Sequence, residues 1–128
     1  MKILAIDYGD VKVGLAFGDT ESNFASPYKI IKGETRENLL EELSIICQKE
    51  WIGKIIVGMP MHDESKFSSV QMDKVKGFIE QLKAKIDLEV EIVDENLSTG
   101  QAQKLIGGKG DDDAVAAMIL LQDYFDRQ

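Results

Sequence analysis

The sequence predicts an α/β fold built on a mixed five-stranded sheet, and three observations carry that prediction. The first is a β-rich start: KILAID and VKVGLAFGD are apolar runs separated only by the turn signal Tyr8-Gly9-Asp10, which makes them an antiparallel hairpin. The second is a change of period at Thr35, after which apolar residues recur at helical spacing. The third is the return of short apolar runs, KIIVGMP and LEVEIVDE, between helical segments, the pattern of parallel strands joined by crossovers.

Taken in order, a polar loop from Gly18 to Asn23 leads into a third strand, ASPYKIIK, completing a meander. Leu39, Leu40, Leu43, Ile46 and Cys47 then mark a helix. Thr35 or Asn38 can cap it, Glu37, Glu41 and Glu42 lie near its favourable end, and it should stop near Trp51, before Gly53. KIIVGMP is a buried parallel strand, and the polar loop HDESKFSS follows it. Val70, Val75, Phe78, Ile79 and Leu82 define a second helix that carries Lys74, Lys76, Lys83 and Lys85 and feeds LEVEIVDE. Ser98 and Thr99 can cap a short helix through Ile106, GGKG breaks it, and Asp111 to Asp113 open a last helix rich in Ala, Leu and Ile. The element order is β-β-β-α-β-α-β-α, and with no repeat, linker or low-complexity segment the chain reads as one domain, 1–128.

Composition bounds the function. With 44% hydrophobic and 30% charged residues the chain is neither disordered nor fibrous, and its length normally buries about two-thirds of the unfolded surface. The formal charge of −8 is the opposite of what a charge-driven nucleic-acid binder carries. A single cysteine, Cys47, excludes a disulfide within the chain, gives a zinc site no thiolate pair, and is expected to be buried as a small apolar residue. Asp7 interrupts the first apolar run too early for a signal peptide or membrane span, so a reducing, cytoplasmic compartment is expected.

Three carboxylates fall where α/β proteins collect chemistry: Asp7 near the end of the first strand, Glu95 at the end of the last, and Asp113 at the start of the last helix. They would form one site if the first strand and the 88–94 strand lie side by side. A sparse cluster of oxygen ligands suits a hard cation such as Mg²⁺, and two such ions about 4 Å apart clamp a scissile phosphate. On spacing alone each residue also has an ordinary use: Asp7 as a turn former, Asp113 as a helix cap, Glu95 in a solvated loop.

The segments DYGDVKVGLAFGD, IIVGMP, VDENLST and DDAVAAMILLQDYF, in that order and over nearly the whole chain, resemble the successive motifs of the YqgF/RuvX family. Its members are described as Holliday junction resolvases or pre-16S rRNA nucleases. The resemblance implies a ribonuclease H-like fold, a mixed five-stranded sheet with helices on both faces. It implies that Asp7, Glu95 and Asp113 bind one or two Mg²⁺ or Mn²⁺ ions and are catalytic. Asp113 is the best match of the adjacent aspartates, because Ala114, Ala116 and Ala117 then fall in the family's small-residue pattern. Gly9 and Gly14 match the first motif, Gly58 and Pro60 a GxP turn, and Ser98 and Thr99 the segment after the acidic pair; these, with the basic Lys12 that follows Asp10 and Val11, are substrate-binding or site-shaping positions. The chain departs from the family at Asp10 and Val11, where a Thr and a basic residue are usual, and at Asn96, where an Arg is usual. The loop carries His62, Glu64 and Ser65 in place of an Asn and an Asp-Gly, and Lys109 is the only cation after Lys104 before the last helix. Each change thins the shell that holds phosphate.

His62 reads as an exposed loop residue, Trp51 as core-facing, and Phe67 as the aromatic better placed to stack on a base. The lysines of the second helix form a solvated face and are the best-placed cations for tracking a phosphate backbone. The leading expectation is a metal-dependent nuclease acting on structured nucleic acid, either precursor ribosomal RNA or branched DNA. The alternative is a non-catalytic nucleic-acid or protein binding module that keeps the fold and uses its acidic surface to meet a basic ribosomal or repair partner. A third reading, a sugar-kinase or actin-like ATPase, needs two such domains around a nucleotide, and this length supplies one. Monomer and homodimer both fit, since a resolvase favours two sites related by two-fold symmetry.

Overall fold

The computed structural model describes residues 1–9, 11–59, 69–94 and 112–127. The elements are β1 (Lys2–Tyr8), β2 (Lys12–Asp19), β3 (Phe24–Lys32), α1 (Arg36–Lys49), β4 (Ile52–Met59), α2 (Ser69–Lys85), β5 (Glu89–Asp94) and α3 (Asp112–Asp126). The sheet order is β3-β2-β1-β4-β5, antiparallel across β3-β2-β1 and parallel across β1-β4-β5. The expected class is thus observed, a mixed five-stranded α/β sheet with helices on both faces.

Strand alternation sorts the core. Leu4, Ile6, Val13, Leu15, Ile55 and Val57 pack against α1 and α2 around Leu43, Phe78 and Leu82. Ile3, Ala5, Ala16 and Ile56 turn to the other face and meet α3 at Ala117, Leu120 and Leu121. Fully burying a side chain such as Leu43 or Phe78 stabilises the fold by about 1.5–3 kcal/mol. Thr35 caps α1 as expected, its hydroxyl accepting the amide of Asn38 at 3.1 Å.

Four details differ from the sequence reading. β1 and β5 are not neighbours: β4, apolar on both faces, lies between them. Gly18 belongs to β2 rather than to the loop, and α3 packs so closely on it that a Cβ there would stand 2.5 Å from Phe125. Trp51 is 87% exposed, because the turn from α1 into β4 holds it at φ 56° and directs it outward. Val70, in the first turn of α2, is exposed beyond the edge of the helix's apolar stripe. Cys47 is buried as expected. The short helix expected at 98–106 lies outside the described residues.

Candidate active site

Asp7 is the next-to-last residue of β1, and alternation from Ile3 and Ala5 puts it on the α3 face of the sheet. It is half-buried and pairs across the antiparallel ladder with Gly14. β1, β4 and β5 run parallel in register, Ile6 against Val57 and Val57 against Ile92, so their C-terminal ends share one edge of the sheet. β5 ends there at Asp94, and Glu95 follows it in the sequence. With β4 intervening, β1 and β5 stand two strand spacings apart, about 9.5 Å between backbones. The gap is wider than a side-by-side pair would give.

α3 runs antiparallel to β1. Its C-terminal half sits at the opposite end of the sheet, where Gln122 accepts the Ala25 amide at 3.0 Å and donates to the Asn23 carbonyl at 3.0 Å. There too the Tyr124 hydroxyl meets Lys54, near the start of β4, at 2.8 Å. The helix is about 22 Å long at ~1.5 Å per residue, which carries its first turn to the end of the sheet that holds Asp7. Asp113 is its second residue. The first and last elements therefore bring Asp7 and the backbone of Asp113 to the same face and end of the sheet.

Glu95, Pro60, Ser98, Thr99, His62 and Phe67 lie outside the described residues, as does the side chain of Asp113. Among the described residues no three acidic, His or Cys side chains converge on one point. Gly9 is placed at the turn after β1, where a Cβ would come within 2.7 Å of the Lys12 carbonyl oxygen, so the absence of a side chain is required. Lys12 opens β2 and is exposed; Gly14 and Gly58 lie within β2 and β4.

On the opposite face the end of β1 is clamped. Tyr8 stacks on the fully buried Phe78 with ring centroids 4.3 Å apart. Arg36, in the first turn of α1, donates to the Tyr8 hydroxyl at 3.1 Å and to the Lys74 carbonyl at 3.3 Å, tying β1 to both α1 and α2. Sequence reasoning missed this clamp, because Arg36 and Phe78 lie 28 and 70 residues from Tyr8 in the chain and the three share no motif. The one available signal was an arginine directly after a helix cap, in a chain with only two arginines.

Elsewhere the electrostatics are structural. Burial opposes the charge on Lys54, but its hydrogen bonds to Glu91 at 2.6 Å and to Tyr124, together with Glu89, prevail and raise its pKa. Burial alone pushes the Cys47 thiol up to about 11. The lysines of α2 are exposed, but the helix packs on the face opposite Asp7 and Lys85 is held by Glu41 at 2.7 Å, so they are not the cations nearest the site.

The model of the RuvX family, described as Holliday junction resolvase, matches residues 1–127. The chain belongs to the RuvX family. A Bordetella pertussis relative named "Putative pre-16S rRNA nuclease" is 36% identical over 124 residues, 97% of this chain and 92% of its own. A Thermus thermophilus relative with the same name is 35% identical over 135 aligned residues, 99% of this chain and 98% of its own. Among solved structures, T. thermophilus RuvC in complex with Holliday junction substrate superposes with a TM-score of 0.67 at 14% identity, over 99% of this chain and 95% of that one. The fowlpox virus resolvase in complex with Holliday junction DNA gives 0.60 at 14%, over 99% and 98%. These two establish the shared ribonuclease H-like fold. RuvX membership makes the chain one of a family of hydrolases named for acting on ester bonds of nucleic acid.

Proposed function

We propose that this RuvX protein is a divalent-metal-dependent nuclease of one domain, 1–128, which hydrolyses phosphodiester bonds in structured nucleic acid. The observation that supports it most is the convergence of Asp7, from the first strand, and of the start of α3, from the last helix, on one end of the sheet. Precursor 16S rRNA is the substrate favoured here over a Holliday junction. The relatives named for it share about a third of their residues along the full chain, whereas the junction-bound structures share the fold at 14% identity.

The donor chemistry fits Mg²⁺ or Mn²⁺. Asp7 offers carboxylate oxygens at a half-buried strand end, Glu95 and Asp113 would add two more, and the chain's one thiol is buried elsewhere. When bound, such ions supply Lewis acidity and neutralise charge on the phosphate. The chain's own residues hold the geometry. Arg36 and Phe78 fix Tyr8 and with it the direction of Asp7, and Gly9 lets the backbone turn directly after it. Pro60, Ser98 and Thr99 would shape the rim, with Lys12 contacting phosphate. A cytoplasmic setting suits this substrate, and no helix among the described residues is long and apolar enough to cross a membrane.

The test is cleavage of a pre-16S rRNA fragment and of a four-way DNA junction by purified protein, with and without Mg²⁺ or Mn²⁺. Asp7→Asn should lower the rate at least 100-fold while leaving the thermal transition within a few degrees. Undiminished cleavage by that variant, or by protein stripped of metal with a chelator, would refute the mechanism.

A further inference from the structure

Lys12 opens β2 and Lys32 closes β3, and the ladder sets the two directly opposite each other. Their neighbours Val13 and Ile31 pack toward α1 and α2, so alternation turns both lysines to the α3 face, the face of Asp7. The pair lies two residues beyond the Asp7–Gly14–Ile30 row, toward the end of the sheet where β1 finishes. From strand spacing and rise, the Lys12 backbone stands about 8 Å from that of Asp7 and the Lys32 backbone about 12 Å.

Two like charges facing each other weaken strand pairing, and the chain has ample carboxylates to relieve them, with 23 Asp and Glu against 15 Lys and Arg. Elsewhere on the molecule such relief is found. Lys2 is held by Glu50, Lys29 by Glu42, Lys54 by Glu89 and Glu91, and Lys85 by Glu41, each within 3.3 Å. Lys32 is exposed and makes no ion pair or side-chain hydrogen bond among the described residues. Beside it an open groove of about 620 Å³ runs between β3 and the first turn of α3, and among the described residues no carboxylate lines it. Pro27, Ile30, Ala114 and Val115 make its apolar walls. Its other lysine, Lys29, pairs with Leu15 and projects to the opposite face, where Glu42 holds the ammonium at 2.8 Å. Lys32 is thus the charge that the groove presents. A chain of net charge −8 repels a polyanion at long range, so uncompensated local cations decide where one can touch it.

We propose that Lys32 and Lys12 form a phosphate clamp that holds the backbone of the nucleic-acid substrate beside the cleaved bond, with Lys32 as a substrate-binding residue two strands from Asp7. A lysine ammonium meets a phosphate as a point charge and reads no base, so the clamp accepts RNA and DNA of any sequence. That the bound phosphates belong to the substrate rests on the nuclease reading; the affinity of this face for a phosphodiester backbone does not.

The experiment measures fluorescence anisotropy of a labelled RNA hairpin, a DNA hairpin of the same stem and an uncharged peptide-nucleic-acid strand. The full chain carries Asp7→Asn to prevent cleavage, and binding is followed across a salt series. Lys32→Gln should weaken both hairpins and flatten the logarithmic salt dependence on the DNA hairpin by about 0.9. Lys32→Arg, which keeps the charge, should retain the parent slope, and Lys12→Gln combined with Lys32→Gln should lose about twice as much slope. Lys49→Gln removes the same charge from the last turn of α1, at the other end of the sheet, and should match the parent. Thermal melts separate binding from folding: with the like-charge contact relieved, the Tm of Lys32→Gln should equal or exceed that of the parent. With Asp7 intact, Lys32→Gln should raise KM more than it lowers kcat. An unchanged slope for Lys32→Gln overturns the clamp. So do an equal change for Lys49→Gln, equal weakening on the uncharged strand, a loss confined to kcat, or a parent that binds neither hairpin. If the wild-type chain cleaves while Lys32→Gln keeps the parent slope, the clamp alone fails. If Asp7→Asn still cleaves, or the wild-type chain cleaves nothing, while Lys32→Gln flattens the slope, the clamp stands and the catalytic reading fails.

Discussion

Replacing Gly18 by alanine tests whether the close seat of α3 on β2 sets the position of the last helix. An added Cβ would stand 2.5 Å from Cε2 and 2.8 Å from Cζ of Phe125, and 2.8 Å from Cδ2 of Leu121. Both side chains are buried, at 4% and 0% exposure, so neither can swing into solvent. Overpacking of this kind costs about 1–3 kcal/mol. Alanine returns roughly 0.5–1 kcal/mol by restricting the unfolded chain, and with two buried side chains in the clash the midpoints leave a net loss of about 1 kcal/mol. In a domain of this size that lowers Tm by roughly 3–6 °C, measurable by calorimetry or circular dichroism. Phe125→Leu should relieve the clash, so the double variant should lose less than the sum of the singles. Because α3 carries Asp113 at its far end, the single variant should also lower kcat more than KM. An unchanged Tm, or strictly additive losses in the pair, would refute the reasoning.

Lys54→Met should cost about 1–2 kcal/mol in urea denaturation, below the usual loss for a buried ion pair because Glu91 and Glu89 reach solvent and can rehydrate. A variant as stable as the parent would show that the Lys54 cluster contributes no net stability. Cys47 should resist a thiol-specific reagent at pH 8, where a thiol near 11 is only about one part in a thousand thiolate. Labelling at the rate of free cysteine in native buffer would contradict its burial. The sign of the accompanying pH effect is fixed: the folded state holds the thiol proton more tightly than the unfolded chain, with its ordinary value of 9.0, so the Cys47 contribution falls as pH rises from there toward 11.

Local periodicity and turn chemistry made the elements readable from the sequence, since both act between near neighbours. The hairpin at Tyr8-Gly9, the cap at Thr35 and the apolar stripe of α1 all appear where their residues require them. Properties set by distant partners were not readable. That β4 lies between β1 and β5 follows from which apolar strand covers which helix, not from any signal in IIVGM itself. Trp51 has the composition of a core residue, yet the left-handed turn that holds it turns it outward. Gly18 looked like loop because glycine signals a turn, whereas its role is to admit Phe125 from more than a hundred residues away. For the site, the positions of Asp7, Gly9 and Lys12 were legible because each sits at a strand end. Arg36 and Tyr8 were not, because only tertiary packing gives them their partners.

The bonds from Gln122 to Ala25 and Asn23 join positions 97 and 99 residues apart. They carry a consequence for synthesis. The chain emerges from the ribosome with its first hairpins complete but with one face of β1, β2 and β3 bare, since the helix that covers that face is made after all five strands. Such non-local closure slows folding and leaves apolar strand surface exposed in the nascent chain. The order of translation thereby imposes a delay on function: with β1 and α3 both bordering the candidate site, the site is assembled only when the residues of α3 have been made and are free to dock.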